Sequence, residues 1–182
     1  MGLRNVVTLD LNSVFIEFLS RGREMLPASL PSSYCSLKHL CLRLFPTCIH
    51  VQVIQLLLSC YPHLQTLEIT VDSQEYKWHF ETLRSMNITG VEDHWQLEEL
   101  PGGDILNHLR MVKIKEFEGR ESEIKLVRFL LENAKFLEKM KFSYTYNEQE
   151  NADIQRKIRE MLSAFAGIAP IVIISLSVLF SD

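Results

Sequence analysis

An apolar pattern of the form Leu-x-x-Leu-x-Leu recurs along this chain and constrains its fold more than any other feature. Four copies begin at Leu37, Leu64, Leu109 and Leu137, and a weaker copy begins at Val6. The last apolar residues of each copy alternate with other residues, so they lie on one face of a β-strand while their neighbours lie on the other. The sequence therefore predicts a series of short strands.

The spacing of the copies predicts how the strands are arranged. Successive copies start 31, 27, 45 and 28 residues apart, counted from positions 6, 37, 64, 109 and 137. Between them lie apolar stripes with helical spacing, formed by Val51, Ile54, Leu57 and Leu58 and by Ile124, Val127, Leu130 and Leu131. Each stripe can be buried only against a strand face, so the units must stack. We predict an α/β fold, a leucine-rich-repeat solenoid with a curved parallel sheet and helices on its convex side.

The one long interval indicates an insertion and divides the chain into three parts. Residues 1–71 form the predicted leucine-rich-repeat segment, residues 72–106 an acidic insertion, and residues 107–182 the C-terminal part, with a final helix and an apolar terminal strand. The stretch 72–104 contains eight acidic residues and two basic ones. This composition is typical of a solvated loop, and a binding element is the alternative. Trp78 and Trp95 are expected to hold the insertion against the body.

The uncharged stretch 164–180 has two interpretations. Its β-branched residues favour a strand that is buried on both faces and packed as the last element of the sheet; they are Ile171, Val172, Ile173 and Ile174. The alternative is a C-terminal membrane anchor. We favour the strand because 17 helical residues rise about 25 Å, whereas a hydrocarbon core is about 30 Å thick. The N-terminus lacks a signal-peptide pattern, so we expect an intracellular protein, cytoplasmic or nuclear, with reduced thiols.

Charge and motifs argue against several classes of function. The net charge is −4, so no overall basic field would recruit nucleic acid. The four cysteines and six histidines show no metal-ligand spacing, and no phosphate-binding loop or nucleophile motif occurs. Cys41 and His39 merely share one face of a predicted strand. We therefore expect no catalytic residue, no metal, no cofactor and no enzymatic activity.

The polar face of the predicted strands is the best candidate for a function. If Leu40, Leu42 and Leu44 point inward, their neighbours face the concave side of the sheet. The same register on the other strands gives a set of candidate protein-binding residues: Asp10, His39, Cys41, Arg43, Glu68, Met111, Lys113, Lys115, Lys139 and Lys141.

Stacked strands would align part of this set in one lateral row, from Asp10 through Cys41, Glu68 and Lys113 to Lys141. Acidic groups then lie toward the N-terminal side and basic groups toward the C-terminal side. One hypothesis is that the lysines receive acidic groups of a protein partner. The other is that they form a solvated face that prevents aggregation.

Residues 107–142, "NHLRMVKIKEFEGRESEIKLVRFLLENAKFLEKMKF", carry a family resemblance. A strand with a Lys-Ile step, a Gly-containing turn, a helix ending in Leu-Leu-Glu-Asn-Ala and a following Leu-Glu-Lys-Met resemble the core of the FBD domain. That domain is found at the C-terminus of plant F-box proteins with leucine-rich repeats. Upstream, "SLKHLCLRL" and "VIQLLLSCYPHLQTLEI" resemble the repeats such proteins carry, and "IQRKIREMLSAF" resembles the helix that closes the domain.

The resemblance implies the substrate-recognition part of a Skp–cullin–F-box ubiquitin ligase, in which the F-box binds the Skp adaptor and the repeats hold the substrate. The sequence contains no recognisable F-box, so we expect a C-terminal fragment, a shortened gene product or a repeat-only relative. The expected partner is a protein substrate of unknown identity, and the Skp adaptor only if an F-box lies upstream. The alternative is a repeat-only interaction scaffold that does not dock to the ligase.

Overall fold

The computed structural model describes residues 6–21, 36–44, 53–55, 57–58, 60–72, 106–145, 151–165 and 172–179. The elements follow in the order β1 (Thr8–Leu11), α1 (Ser13–Arg21), β2 (His39–Leu44), β3 (Thr66–Val71), β4 (Met111–Lys115), α2 (Glu121–Asn133), β5 (Lys139–Thr145), α3 (Asn151–Phe165) and β6 (Ile173–Leu179). Helical residues also occur at 53–55, 57–58 and 60, between β2 and β3.

The strands form one sheet in which spatial order equals chain order. The sheet has six strands, β1 to β6, and every neighbouring pair is parallel. The units that begin at Leu37, Leu64, Leu109 and Leu137 therefore lie side by side and run in the same direction. This confirms the predicted α/β class and the predicted parallel sheet.

The same turn precedes three of the strands. Each opening leucine donates its N–H to the carbonyl oxygen three residues earlier: Leu64 to Tyr61 at 3.1 Å, Leu109 to Leu106 at 3.1 Å, and Leu137 to Ala134 at 3.0 Å. The three leucines are at most 4% exposed. Because the leucine side chain is buried and its N–H closes the turn, one residue type anchors the entry of each strand into the sheet.

One face of the sheet is apolar from strand to strand. Residues at equivalent positions form a continuous row of Leu9, Leu40, Leu67, Val112, Met140 and Ile174. The four central members of this row are completely buried, and the two at the sheet edges are partly buried. A parallel sheet needs helices against the faces it buries, and here one face receives them. We call this face the covered face.

The predicted helical stripes supply part of the cover. Ile54, Leu57 and Leu58 are buried, while Val51 lies outside the described residues. In α2, Val127, Leu130 and Leu131 are buried and Ile124 is partly buried. Ile16 of α1 and Ile158 and Met161 of α3 belong to the same core. The apolar spacing read from the sequence therefore marks residues that pack in the core.

The turn between β4 and α2 holds a buried carboxylate. Glu123 is 4% exposed and accepts the N–H of Arg120 at 2.8 Å and that of Glu118 at 3.2 Å. Burial raises the pKa of Glu123 to about 7, and the negative charge of Glu118 adds to that rise. Gly119 permits the turn with a φ of 70°, a left-handed conformation that residues with a Cβ rarely adopt. The carboxylate thus ties the chain entering α2 to the first turn of the helix.

Within the apolar C-terminal stretch, residues 173–179 form a strand, as favoured, but the strand is not buried on both faces. Ala164 and Phe165 belong to α3, and residues 166–171, with Ile171, and residue 180 lie outside the described residues. β6 pairs with β5 through the full length of both strands, whereas Ile173 is 62% exposed and Leu176 43% exposed. The prediction was wrong because β6 is the edge strand of the described sheet. Ile173 lies on the face that none of the described helices covers, and Leu176 lies on the covered face but at the edge, where the cover is incomplete. None of the described helices combines the length and apolar character needed to cross a lipid bilayer.

Several predictions fall outside the described residues. They concern residues 73–105 of the acidic insertion, with Trp78 and Trp95, and the cysteines Cys35 and Cys48. The described cysteines, Cys41 and Cys60, are free thiols and are half-buried.

Candidate protein-binding face of the sheet

The face opposite the covered face presents all ten candidate residues, and we call it the open face. Alternation within each strand determines which side chains it carries. Asp10, His39, Arg43, Lys115, Lys139 and Lys141 are exposed, and Cys41, Glu68, Met111 and Lys113 are half-buried. The open face therefore carries charged side chains on β1 to β5, where the covered face carries apolar ones.

The central row of the open face crosses the sheet in register. Asp10 pairs with Cys41, Cys41 with Glu68, Glu68 with Lys113, and Lys113 with Lys141. Ser175 of β6 continues the row beyond Lys141. Neighbouring side chains on one sheet face are about 5 Å apart at their Cβ atoms, so the charges of this row act on one another.

Glu68 neutralises part of the lysine charge. Its Oε1 atom lies 2.6 Å from Nζ of Lys115, and its Oε2 atom accepts a hydrogen bond from Nζ of Lys113 at 3.1 Å. The hydrogen bond from Lys115, joined by that from Lys113, holds the pKa of the Glu68 carboxyl below its ordinary value despite partial burial. The sequence pattern treated the four lysines as equivalent, but β4 contributes two that share one carboxylate.

The lysines of β5 differ from those of β4. Lys139 and Lys141 are exposed, and neither forms an ion pair with another residue in the part of the chain that the structure describes. Two residues apart on one strand, they project from the same face. The positive charge available to a partner is therefore concentrated on β5 rather than spread over both strands.

Arg43 modifies the predicted charge gradient. It lies exposed on β2, at the register position of Thr70 on β3 and Lys115 on β4. A basic residue thus stands on the side of the sheet that also carries Asp10. The acidic-to-basic order holds along the central row but not across the whole open face.

Cys41 sits where a reactive thiol would be disfavoured. Partial burial, together with the negative charges of Glu68 and Asp10, raises the pKa of the Cys41 thiol above its ordinary value. A nucleophilic cysteine needs the opposite environment, in which the thiolate is stabilised. His39 shares the open face of β2, as the spacing predicted, and lies at the neighbouring outward position. Among the described residues, no group of three or more His, Cys, Asp or Glu side chains could hold a metal ion.

The entrance to the strands carries two side-chain contacts between neighbouring units, and one of them, between Arg110 and Phe136, was not predicted from the sequence. The Arg110 guanidinium lies over the ring of Phe136, 5.1 Å from its centroid, and Nη1 donates to the Phe136 carbonyl oxygen at 3.2 Å. Phe136 is 52% exposed. The rings of His63 and His108, each directly before an opening leucine, stand 5.2 Å apart. The signal for the histidines was their shared place in the repeat, whereas nothing in the alternation identifies the Arg110–Phe136 contact.

A family model described as FBD matches residues 105–142, about a fifth of the chain. These residues are therefore similar to an FBD domain. FBD domains are associated with F-box proteins, which suggests a role in protein interaction, and the family is generally non-catalytic. Searches of curated proteins and of solved structures gave no significant match.

The FBD segment supplies half of the candidate residues. It runs from the turn at Leu106 through β4 and α2 to Phe142 within β5. It therefore contains Met111 and all four lysines of the open face, as well as the buried Glu123 that holds the turn between them. The part of the chain that matches the family model presents the four lysines of the open face, whereas Arg43 lies outside it.

Proposed function

We propose that this chain is a non-catalytic protein-binding module whose open face receives an acidic segment of a protein partner, in the manner of the substrate-recognition part of an F-box ubiquitin-ligase subunit. The observation that carries the proposal is the pair Lys139 and Lys141, exposed on the FBD segment without an ion pair inside the described chain. Charged groups placed to meet opposite charge favour encounter and orientation.

Repetition of backbone geometry supports a leucine-rich-repeat solenoid as the scaffold. At each junction from β1 to β5, two consecutive N–H groups of the next unit donate to one carbonyl of the previous unit. Lys38 and His39 donate to Val7, Gln65 and Thr66 to Lys38, Arg110 and Met111 to Gln65, and Glu138 and Lys139 to Arg110. Identical junctions stack units in one direction and leave one sheet face available for binding.

The electrostatics specify the partner by chemistry. Glu68 already forms ion pairs with Lys113 and Lys115 on β4, so a carboxylate of the partner would have to compete with it there. At Lys139 and Lys141 on β5 it would meet no such ion pair within the described residues. Exposed charge pairs are weakened by salt, since the screening length is about 8 Å at physiological ionic strength. The proposed partner therefore carries acidic side chains, and its binding weakens as salt concentration rises.

A charge-reversal experiment tests the open face. The variant Lys139→Glu/Lys141→Glu is compared with Lys125→Glu, which changes charge on α2, where Lys125 forms an exposed pair with Glu121 at 2.8 Å. Proteins captured by the unmodified chain from its native extract are quantified at two salt concentrations. We expect salt-sensitive captured proteins to be lost with the β5 variant and retained with the α2 variant. Equal capture by both variants would count against the open face.

The ligase-related function and the scaffold function differ in one partner. Substrate recognition for ubiquitination would be supported by two results. The Skp adaptor co-purifies with the chain from the cells that express it, and the captured proteins live longer when the chain is depleted from those cells. Capture of the same proteins without the Skp adaptor and without a change in their lifetime supports the repeat-only scaffold.

A further inference from the structure

β6 pairs with β5 on one side, and within the described ranges no strand pairs with its other edge. We call this the free edge, and it has the features of a self-pairing strand. β6 is seven residues long and contains no charged residue, proline or glycine. Its residues Ile173, Ser175, Leu176 and Ser177 are exposed. Natural sheets protect their edge strands with charge, proline or short length, and an edge without these features is a template for another strand.

The backbone groups that face this edge follow from the pairing with β5. The N–H of Ile173 donates to the carbonyl oxygen of Glu138 at 2.9 Å. In a parallel ladder, alternate residues turn both backbone groups toward the same neighbour, so Ile173, Ser175 and Ser177 serve β5. Ile174, Leu176 and Val178 therefore turn their N–H and C=O groups toward the free edge.

The sequence of β6 reads nearly the same in both directions. Around Leu176, "IISLSVL" places Ser175 against Ser177 and Ile174 against Val178, with Ile173 and Leu179 at the ends. An antiparallel pair of two such strands, related by a two-fold axis at Leu176, matches serine with serine and apolar with apolar residues at every position.

The opposite edge of the sheet lacks these properties. β1 has four residues and presents the exposed carboxylate of Asp10, so two copies paired there would bring like charges together. The self-complementary edge is therefore β6, and its best-matched occupant is the β6 of a second copy.

We infer that two copies of this chain associate through antiparallel pairing of their β6 strands, with Leu176 opposite Leu176 of the second copy, to form one continuous sheet. Ile174, Leu176 and Val178 of both copies then form about six interchain backbone hydrogen bonds. Residues opposite each other in an antiparallel pair share one face, so the open faces of the two copies lie on the same side. The inference does not depend on what the open face binds.

Charge complementation tests the pairing. In the proposed register Ser175 faces Ser177 of the second copy, so Ser175→Lys/Ser177→Lys creates opposed lysines, and Ser175→Glu/Ser177→Glu creates opposed carboxylates. Sedimentation of the full chain over a range of concentrations should show a dimer for the unmodified chain. Each variant alone should dimerise at least about tenfold more weakly, and an equimolar mixture should recover a one-to-one heterodimer.

Matched variants keep the experiment decisive. Thr8→Lys, which adds charge at the β1 edge, should leave dimerisation unchanged, and thermal unfolding verifies that each variant is folded. Three results would overturn the inference: an unmodified chain that stays monomeric up to about 1 mM, beyond which association is too weak to be specific; a dimer that the lysine variant does not weaken; or variants that fail to associate when mixed.

Discussion

The two faces of the sheet share one backbone and one register, but they differ in how the residue type varies from strand to strand. On the covered face, the row through Leu40, Leu67, Val112 and Met140 keeps the same apolar character on successive strands. On the open face, the row through Cys41, Glu68, Lys113 and Lys141 changes character from strand to strand. Stacking requires every unit to offer its neighbour an apolar surface, and it requires nothing of the other side. Residues of the open face can therefore change without disturbing the apolar packing that stabilises the sheet.

Phe142 and Lys141 are adjacent residues of β5 on opposite faces of the sheet, and their substitution should give the largest difference in the free energy of unfolding. Phe142 is completely buried and its ring meets that of Phe117 with centroids 5.0 Å apart. We expect Phe142→Ala to lower the free energy of unfolding by about 3–5 kcal/mol, because it removes buried surface and leaves a cavity. Lys141→Ala, one residue earlier, should change it by less than about 0.5 kcal/mol. Urea denaturation measures both, and comparable losses would remove the distinction.

Glu123 is a buried ionisable group in α2, so the free energy of unfolding should depend on pH. Its folded pKa is about 7, above its ordinary value of 4.5. The folded state therefore holds the proton more tightly, and this contribution to stability is complete below pH 4.5 and is lost as pH rises to about 7. The loss is on the order of 3 kcal/mol.

Unfolding measured between pH 4 and pH 8 tests this dependence, with Glu123→Gln as the variant that keeps the shape and removes the titration. We expect the pH slope to be flattened in Glu123→Gln and retained in Glu121→Gln, a neighbouring fully exposed carboxyl. A slope that persists unchanged in Glu123→Gln would assign it to another group.

Gly119 determines how closely α3 approaches the turn that leads into α2. A Cβ at this residue would lie 3.2 Å from Cδ and 3.3 Å from Cβ of Lys157. Together with the positive φ, this predicts a loss of about 1–2 kcal/mol in Gly119→Ala. Asn adds the same Cβ but tolerates positive φ better, so Gly119→Asn should cost less. Equal melting temperatures for the two variants would mean that the backbone conformation is not the cause.

Substitution of Glu68 should give a small change in stability and a visible change in binding. Glu68→Gln breaks two partly exposed pairs, which we expect to cost less than about 1 kcal/mol. Because the folded pKa of Glu68 is lowered, its contribution is present above the ordinary pKa and is lost as pH falls. The substitution also releases Lys113 and Lys115, so retention of poly-glutamate by the open face should increase at low salt. Unchanged retention would mean that the β4 lysines are already available.

Alternation and spacing were sufficient to predict the strands and their order. Leu64, Leu109 and Leu137 recur at the same point of each unit, and a residue that must be buried at each turn leaves only one consistent register. The position of the open-face residues followed from that register, but their partners did not. Whether Lys113 and Lys115 reach Glu68 depends on side-chain conformations that a strand pattern does not contain.

The exposure of Ile173 and the burial of Glu123 could not be predicted from the sequence pattern, for different reasons. β-branched residues in β6 indicate a strand, yet they do not say whether helices cover it, so the exposure of Ile173 was missed. Glu123 is an ordinary first-turn acid by sequence, and only the fold of the preceding turn buries it. The function of the open face stays a prediction.

The spacing of the strands also determines which kind of bound segment can place side chains on several strands in succession. Side chains of one row repeat about every 4.8 Å from strand to strand. A helix laid across the strands returns to the same side about every 5.4 Å, whereas an extended chain does so about every 6.6 Å. Because about 5.4 Å is closer to the strand spacing of about 4.8 Å, a bound helix can align its side chains with more strands than a bound extended segment can.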